Sequence, residues 1–375
     1  MQRDARALLA LYEATHLGTP DEQFLEDAQR KTTSLLKSRI DRLEKPLADK
    51  VKHALETPCF RRMKILEARE EVREICEWYY EKESPRRLFY ARHRPVESYF
   101  WTLGVYYEPQ YAKARKFLAK FIATITPYDD TFDNYGVWEE LQPFANVMQR
   151  WDMKEVEQLG ECYEDYARFM FGTMIEIENA LPKDIATRNV NFIKNIINEV
   201  CKGYLTEIYW RDNKYIPPLE EHLKVTLVTS FYWATSCTAF VVSEENITEE
   251  VLQWMSKFPQ IVKDSCIVAR LMDDIVAHEL ETEKNNVATV VTCYMKEYGT
   301  TKEVASEALW EVVENAWKDM NKEFLTMTDI PSSLLIRVIN LARMMETMYK
   351  EIDGYTDSAI LKNRISLLLE QPMTF

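Results

Sequence analysis

A chain of 375 residues has room for one large or two modest domains with an ample core. Glycine fills only 8 positions, about 2% against a usual ~7%, which argues against sheets and tight turns and predicts an almost wholly helical protein. The formal charge of -14, from 47 basic against 61 acidic residues, disfavours broad binding to nucleic acid or to anionic membranes, because both call for net positive surface.

In chain order, Ala5 to Leu17 reads as a helix. Thr19-Pro20-Asp21-Glu22 then reads as the start of the next, with Thr19 as cap, Pro20 in the first turn and Glu22 completing a capping box. Charged amphipathic helix continues to about Leu55, and Thr57-Pro58 breaks it. Ser84-Pro85 through Pro95 is irregular and holds the one basic cluster, Arg86, Arg87, Arg92, His93 and Arg94, ahead of an apolar segment from Val96 to Leu103. Tyr111 to Tyr128 is apolar and leads into Asp129-Asp130-Thr131-Phe132-Asp133. Pro127 is expected to kink this helix, since an interior proline costs ~3 kcal/mol or more. Phe192, Ile193, Ile196, Ile197, Val200, Cys201, Tyr204, Leu205, Ile208 and Tyr209 recur with the period of a helix that has one wide apolar face. Pro217-Pro218 is a break before the aromatic, threonine-rich stretch Leu223 to Val242. Ile261 to Leu280 is apolar until it meets a second acidic cluster, Asp273-Asp274-Ile275-Val276-Ala277-His278-Glu279-Leu280-Glu281. Gly299 to Glu303 reads as a turn with a Thr300 to Glu303 capping box, and Asp353-Gly354-Tyr355 as a loop.

The cysteines are seven, an odd number without a CxxC pair, and read as reduced and mostly buried in a cytoplasmic protein. No apolar run is expected to approach the ~20 residues of a membrane span, and no signal peptide opens the chain.

The chemistry concentrates in the two acidic clusters. On a helix Asp129 and Asp133 stand one turn apart, and Asp273 and Glu281 share another face. Carboxylates so placed repel one another in a dry pocket unless a cation joins them. Hard oxygen ligands that leave room for water and phosphate suit Mg2+, so the pair predicts a site for a diphosphate ester. A solvated helix face is the bland alternative for each, but the first cluster lies against Phe121, Ile122, Ile125, Phe132 and Tyr135 rather than among other charges. Arg270 precedes Asp273 by three residues and could grip phosphate oxygens, as could Arg92 and Arg94 on either side of His93. Trp101 could stabilise a carbocation through its π face, and Tyr349 with Asp353 could orient a proton-transfer group. The five histidines show no metal-ligand spacing, and neither a Ser/His/Asp set nor a glycine-rich phosphate loop is present.

Taken together, Tyr90-Ala91-Arg92-His93-Arg94, Tyr99-Phe100-Trp101 to Glu108-Pro109-Gln110-Tyr111, the DDTFD segment, Gln149-Arg150-Trp151-Asp152, Arg270 to Glu281 and Asp353-Gly354-Tyr355 resemble the class I terpene synthases of plants, specifically the sesquiterpene cyclases. The resemblance covers nearly the whole chain, with several rare motifs in order. It implies an all-α fold, a class I terpenoid synthase helical bundle with a partial N-terminal helical domain: residues 1–69 as the remnant of that domain and 70–375 as the catalytic one. It implies Mg2+ ions, usually three, with Mn2+ as a substitute. Asp129 and Asp133 would bind two of them, Asp273 and Glu281 the third, with Asp130 and Asp274 adjoining. Arg92, Arg94, Arg270 and Lys284 would take the diphosphate. Trp101 and Tyr232 would line the pocket, Tyr349 and Asp353 would pair near its floor, and the loop after Tyr349 would close as a lid. The implied reaction is cyclisation of farnesyl diphosphate to a sesquiterpene by a monomer whose partner is the small-molecule isoprenoid diphosphate, with no nucleic acid and no membrane. Geranyl diphosphate as substrate, or an inactive helical fragment of the family, are the alternatives.

Three departures accompany the match. Ala277 stands where the family usually has a Ser or Thr ligand, and Pro127 intrudes as above. Leu66-Glu67-Ala68-Arg69 runs directly into Glu70 to Tyr80, as if an internal segment carrying a core-facing helix were deleted, which is expected to leave apolar surface uncovered.

Overall fold

The computed structural model describes residues 2–62, 67–243, 245, 247–285 and 288–371; the side chains of residues 2–3, 46 and 279–285 lie outside that description. Every regular element among the described residues is helical, as the glycine poverty predicts. The chain divides into two compact units, Met1–Ala68 and Arg69–Phe375.

In the first unit, α1 (Gln2–Thr15), α2 (Gln23–Arg39) and α3 (Lys45–Glu56) bury one apolar stripe each, with Tyr12, Leu36, Leu47 and Val51 in a shared core. The Thr19–Glu22 box forms only in half: the Glu22 carboxylate accepts from the Thr19 N–H at 2.8 Å and from its hydroxyl at 3.1 Å, while the helix itself begins at Gln23.

The second unit comprises α4 (Ala68–Glu81), α5 (Glu83–Arg87), α6 (Pro95–Val105), α7 (Ala112–Asp130), α8 (Trp138–Arg150), α9 (Met153–Val156), α10 (Glu161–Ala180) and α11 (Ala186–Asp212), followed by α12 (Leu219–Thr229), α13 (Tyr232–Val242), α14 (Glu249–Ser256), α15 (Gln260–Asn285), α16 (Val290–Tyr298), α17 (Lys302–Thr326), α18 (Ser332–Met348) and α19 (Ala359–Leu369). Helix α13 is buried at every position, the mark of a helix that is apolar all round. The second capping box does not form: Thr301, not Thr300, precedes α17 and makes no side-chain cap hydrogen bond, and Gly299 closes α16 in the left-handed region at φ 62°.

Two expectations are corrected here. Helix α7 does not break at Pro127 but continues to Asp130, and the irregularity falls afterwards, in a π-helical turn over Thr131–Tyr135. There the Thr131 hydroxyl donates to the Pro127 carbonyl at 2.6 Å and the Gly136 N–H to the Thr131 carbonyl at 2.8 Å, so the carbonyls beyond the proline find partners through a wider turn. Such turns often accompany functional sites. Second, Leu219–Val242 is long and apolar enough, by length and composition, to cross a membrane. It folds instead as two helices, α12 and α13, parted at Ser230–Phe231 where Phe231 takes φ 61°, and most of it is buried.

Buried ion pairs fix the frame. Arg115 (2% exposed) donates to both oxygens of Glu71 at 2.8 and 2.9 Å, and Tyr99 adds a third bond to that carboxylate at 3.0 Å. Arg337 grips Glu108 at 2.8 and 3.0 Å and caps the Val105 carbonyl at 3.0 Å, tying α18 to the end of α6.

Candidate active site

Helices α6, α7, α13, α15 and α18 and the loop after α18 enclose a cavity of about 330 Å³. Its apolar wall follows from helical spacing: Ile122 and Ile125 project from α7, Leu341 and Met345 from α18, and Trp101 from α6. The Trp101 ring meets Tyr232 edge-on at 6.1 Å and Tyr355 at 5.2 Å, and the Tyr232 hydroxyl donates to the Leu341 carbonyl at 3.1 Å. Trp101 Nε1 is buried without a hydrogen-bond partner.

Asp129, Asp130 and Asp133 reach the same cavity from the end of α7 and the π turn. Arg92 closes over them: its Nη2 donates to Asp129 Oδ2 at 2.7 Å, its Nε to Asp130 Oδ1 at 2.8 Å and its backbone N–H to Asp130 Oδ2 at 2.7 Å. Both oxygens of Asp130, 1% exposed, are thus committed to Arg92, so Asp130 anchors that arginine rather than presenting a free carboxylate.

From α15, Arg270, Asp273 and Ala277 line the cavity. Arg270 Nη1 lies 4.0 Å from Asp273 and 3.1 Å from Asp274. Asp274, expected beside the ligands, is absent from the cavity wall: it is 2% exposed, with Oδ2 accepting the Val290 N–H at 2.6 Å and Oδ1 taking Arg270. Its neighbour in sequence faces the site because adjacent helical residues diverge by about 100°. The side chains of Glu281 and Lys284 lie outside the described residues.

Helix α18 ends at Met348, so Tyr349 and Asp353 do not share a helix as their spacing predicts. Both still line the cavity. Asp353 Oδ1 accepts the N–H groups of Tyr355 and Thr356 at 3.0 and 2.9 Å, capping the loop, and Gly354 passes so close to the Met348 carbonyl that a Cβ would stand 2.8 Å from it. Arg94, expected at the diphosphate, does not line the cavity. Its guanidinium instead holds the carbonyls of Tyr355 at 3.0 Å and Thr356 at 2.9 Å, and Arg92 adds a bond to the Thr356 hydroxyl at 2.8 Å.

Two residues escaped sequence reasoning. Tyr204 donates to Asp129 Oδ1 at 2.5 Å, and Glu207, three residues further along α11, accepts from the Thr229 hydroxyl. Tyr204 reads as one more residue of the apolar face of α11, and Glu207 shares that helix with Glu199, so local pattern marks neither.

Charge is left over at this end of the cavity. Burial first, then the facing carboxylates of Asp129 and Glu207, holds Asp133 well above the ordinary carboxylate range, and burial with Asp353 does the same for Asp273. Burial pushes Glu207 up to about 7 against the pull of Arg270. Among the described residues no three Asp, Glu, His or Cys side chains converge closely enough to hold an ion, and Arg92 stands among the carboxylates of α7. The donor set nevertheless fits a hard divalent cation: it is all oxygen, it sits on two facing helices, and its surplus negative charge is only partly met by two guanidinium groups.

Residues 81–319 match the model of the terpene synthase family, metal binding domain. The chain is 37% identical to sesquiterpene synthase 2 of Toona sinensis over 405 aligned positions, covering 99% of this chain and 73% of that protein, and 35% identical to (-)-germacrene D synthase of Vitis vinifera, covering 100% and 73%. The 405 positions exceed the 375 residues present here, so the relative carries residues without counterpart in this chain. In solved structures, isoprene synthase of grey poplar with three Mg2+ ions and dimethylallyl-S-thiolodiphosphate superposes with a TM-score of 0.77 at 26% identity, covering 100% of this chain and 78% of that one. The fold is that of a class I terpene synthase bundle. The chain belongs to the terpene synthase family, and it is a metal-using lyase that acts on a small molecule.

Proposed function

We propose that this protein ionises farnesyl diphosphate with Mg2+, releasing diphosphate, and cyclises the resulting cation, which loses a proton to give a sesquiterpene hydrocarbon. The observation that supports this most is that one cavity joins carboxylates from both acidic motifs, two guanidinium groups and an aromatic wall. A volume of about 330 Å³ lies within the range of small-molecule pockets, ~300–1,000 Å³. Asp129 and Asp133 from one side, and Asp273 with Glu281 from the other, would hold the ions, usually three. Bound Mg2+ supplies Lewis-acid charge for the leaving diphosphate. Arg92 and Arg270 take diphosphate oxygens, and Trp101 and Tyr232 present π faces to an allylic cation. The ring wall keeps water from quenching it.

The test is incubation of the purified, folded chain with farnesyl and, separately, geranyl diphosphate plus Mg2+, reading volatile hydrocarbon and released diphosphate. Turnover of the farnesyl ester to a fifteen-carbon hydrocarbon is expected; turnover of the geranyl ester alone replaces the substrate, and none with either overturns the reading. Asp129→Ala is expected to abolish turnover while the helical circular dichroism stays intact.

A further inference from the structure

Asp129, one residue before the end of α7, carries a short side chain whose terminal torsion is broad, so something must choose which oxygen it offers. One oxygen, Oδ2, lies against Arg92 at 2.7 Å, and the other, Oδ1, receives the phenol of Tyr204 at 2.5 Å. The phenol has a single proton to give, and its other acceptor in reach, the Thr229 carbonyl, is further away at 3.3 Å. Tyr204 itself is fixed. It is 1% exposed, its ring stacks on Phe132 at 5.0 Å and 17°, and Phe132 belongs to the π turn that follows Asp129. Tyr128 meets it edge-on at 5.9 Å, and Phe231 packs at 6.0 Å. The preceding residue, Gly203, lets α11 approach α12 so closely that a Cβ there would stand 2.6 Å from the Thr229 methyl. The donor therefore sits on a helix with three aromatic rings packed against its own, 75 residues from the acid it serves.

We infer that Tyr204 is a positioning residue for the first acidic motif: its hydroxyl holds Asp129 Oδ1 and leaves Oδ2, now on Arg92, as the oxygen offered to a divalent cation. The inference rests on the proposed metal role of Asp129. Without the hydroxyl, Arg92 is the strongest hold on that carboxylate, through the oxygen the cation needs. Partners of this kind behind a metal ligand typically contribute 10–100-fold in affinity.

Tyr204→Phe keeps the ring and its stacking and removes only the donor. The experiment titrates the full chain with Mn2+ alone, read by electron paramagnetic resonance and calorimetry, beside a thermal unfolding scan. The expected result is a Mn2+ affinity roughly tenfold or more weaker in Tyr204→Phe, and no further loss when Tyr204→Phe is added to Asp129→Asn. An affinity within about twofold of the parent, or an equal further loss in the double variant, overturns the inference while leaving the metal reading intact. No Mn2+ binding by the parent overturns the metal reading itself. If Tyr204→Phe does not fold, replacement by para-fluorophenylalanine refills the hydroxyl volume without a donor; failure of both to fold makes the hydroxyl structural and overturns the positioning role.

Discussion

Arg92 and Asp129 share a hydrogen bond of 2.7 Å, which puts a guanidinium on a carboxylate that the proposed metal must also use. The same side chain reaches Asp130 and Thr356, so one guanidinium ties the acidic motif to the loop after α18. Binding a divalent ion to Asp129 has to displace part of that arrangement.

Arg92→Gln should therefore separate two affinities. Mn2+ alone is expected to bind roughly tenfold tighter, about 1.4 kcal/mol, because the competing cation is gone. Inorganic diphosphate in the presence of Mn2+ should bind more weakly, because a bidentate donor is gone. Calorimetric titration reads both; tightening of both together would refute competition at Asp129.

Ala277 lines the cavity on the same helix as Asp273 and is 4% exposed, with no hydroxyl to offer. Ala277→Ser adds one oxygen with little added volume. The Mg2+ concentration giving half-maximal turnover is expected to fall several-fold, each tenfold being about 1.4 kcal/mol. An unchanged metal dependence would show that this position does not face the ions.

The Glu207 carboxyl makes a pH prediction with a definite sign. Its folded value is raised to about 7 from an ordinary 4.5, so the stability it contributes is complete below about 4.5 and is lost as pH climbs through 7. The slope is at most about 1.4 kcal/mol per pH unit. Glu207→Gln removes this proton, and in a chelating buffer its melting temperature relative to the parent should rise between pH 5.5 and 7.5. Parallel curves for the two proteins would remove Glu207 from the strained set.

Glu71→Ala leaves the Arg115 guanidinium, 2% exposed, without its carboxylate. The loss should be about 3–5 kcal/mol of unfolding free energy, measured by urea denaturation. A loss below about 1 kcal/mol would mean that the Tyr106 and Glu108 carbonyls suffice for Arg115.

Sequence pattern reached much of this site and failed in specific ways. Asp129, Asp133 and Asp273 were legible because carboxylates beside apolar runs are costly without a purpose. Trp101 was legible as a ring that could face a cavity, but Tyr232 only through the family resemblance, since aromatic residues at helical spacing are mostly core. Asp274 and Arg94 share motifs with residues that line the cavity, yet one braces the Val290 N–H and the other the carbonyls of the loop. Local spacing does not say which neighbour a side chain will meet. Tyr204 and Glu207 were illegible for a related reason: their partners at Asp129 and Thr229 come from distant helices that only the packing brings together. Pro127 misled because an interior proline is expected to kink its helix, whereas α7 runs through it to Asp130 and the irregularity lies only beyond, at Thr131–Tyr135.

Phe231 holds a conformation natural to glycine, at φ 61°, for which an ordinary residue gives up about 1 kcal/mol or more. Glycine would relax the backbone there and remove the ring that packs on Tyr128 and Tyr204. The position is thus a hinge pin whose strain and whose bulk cannot be improved separately. An engineer reshaping the cavity has freedom in the side chains on either side of that junction, and little at the junction itself.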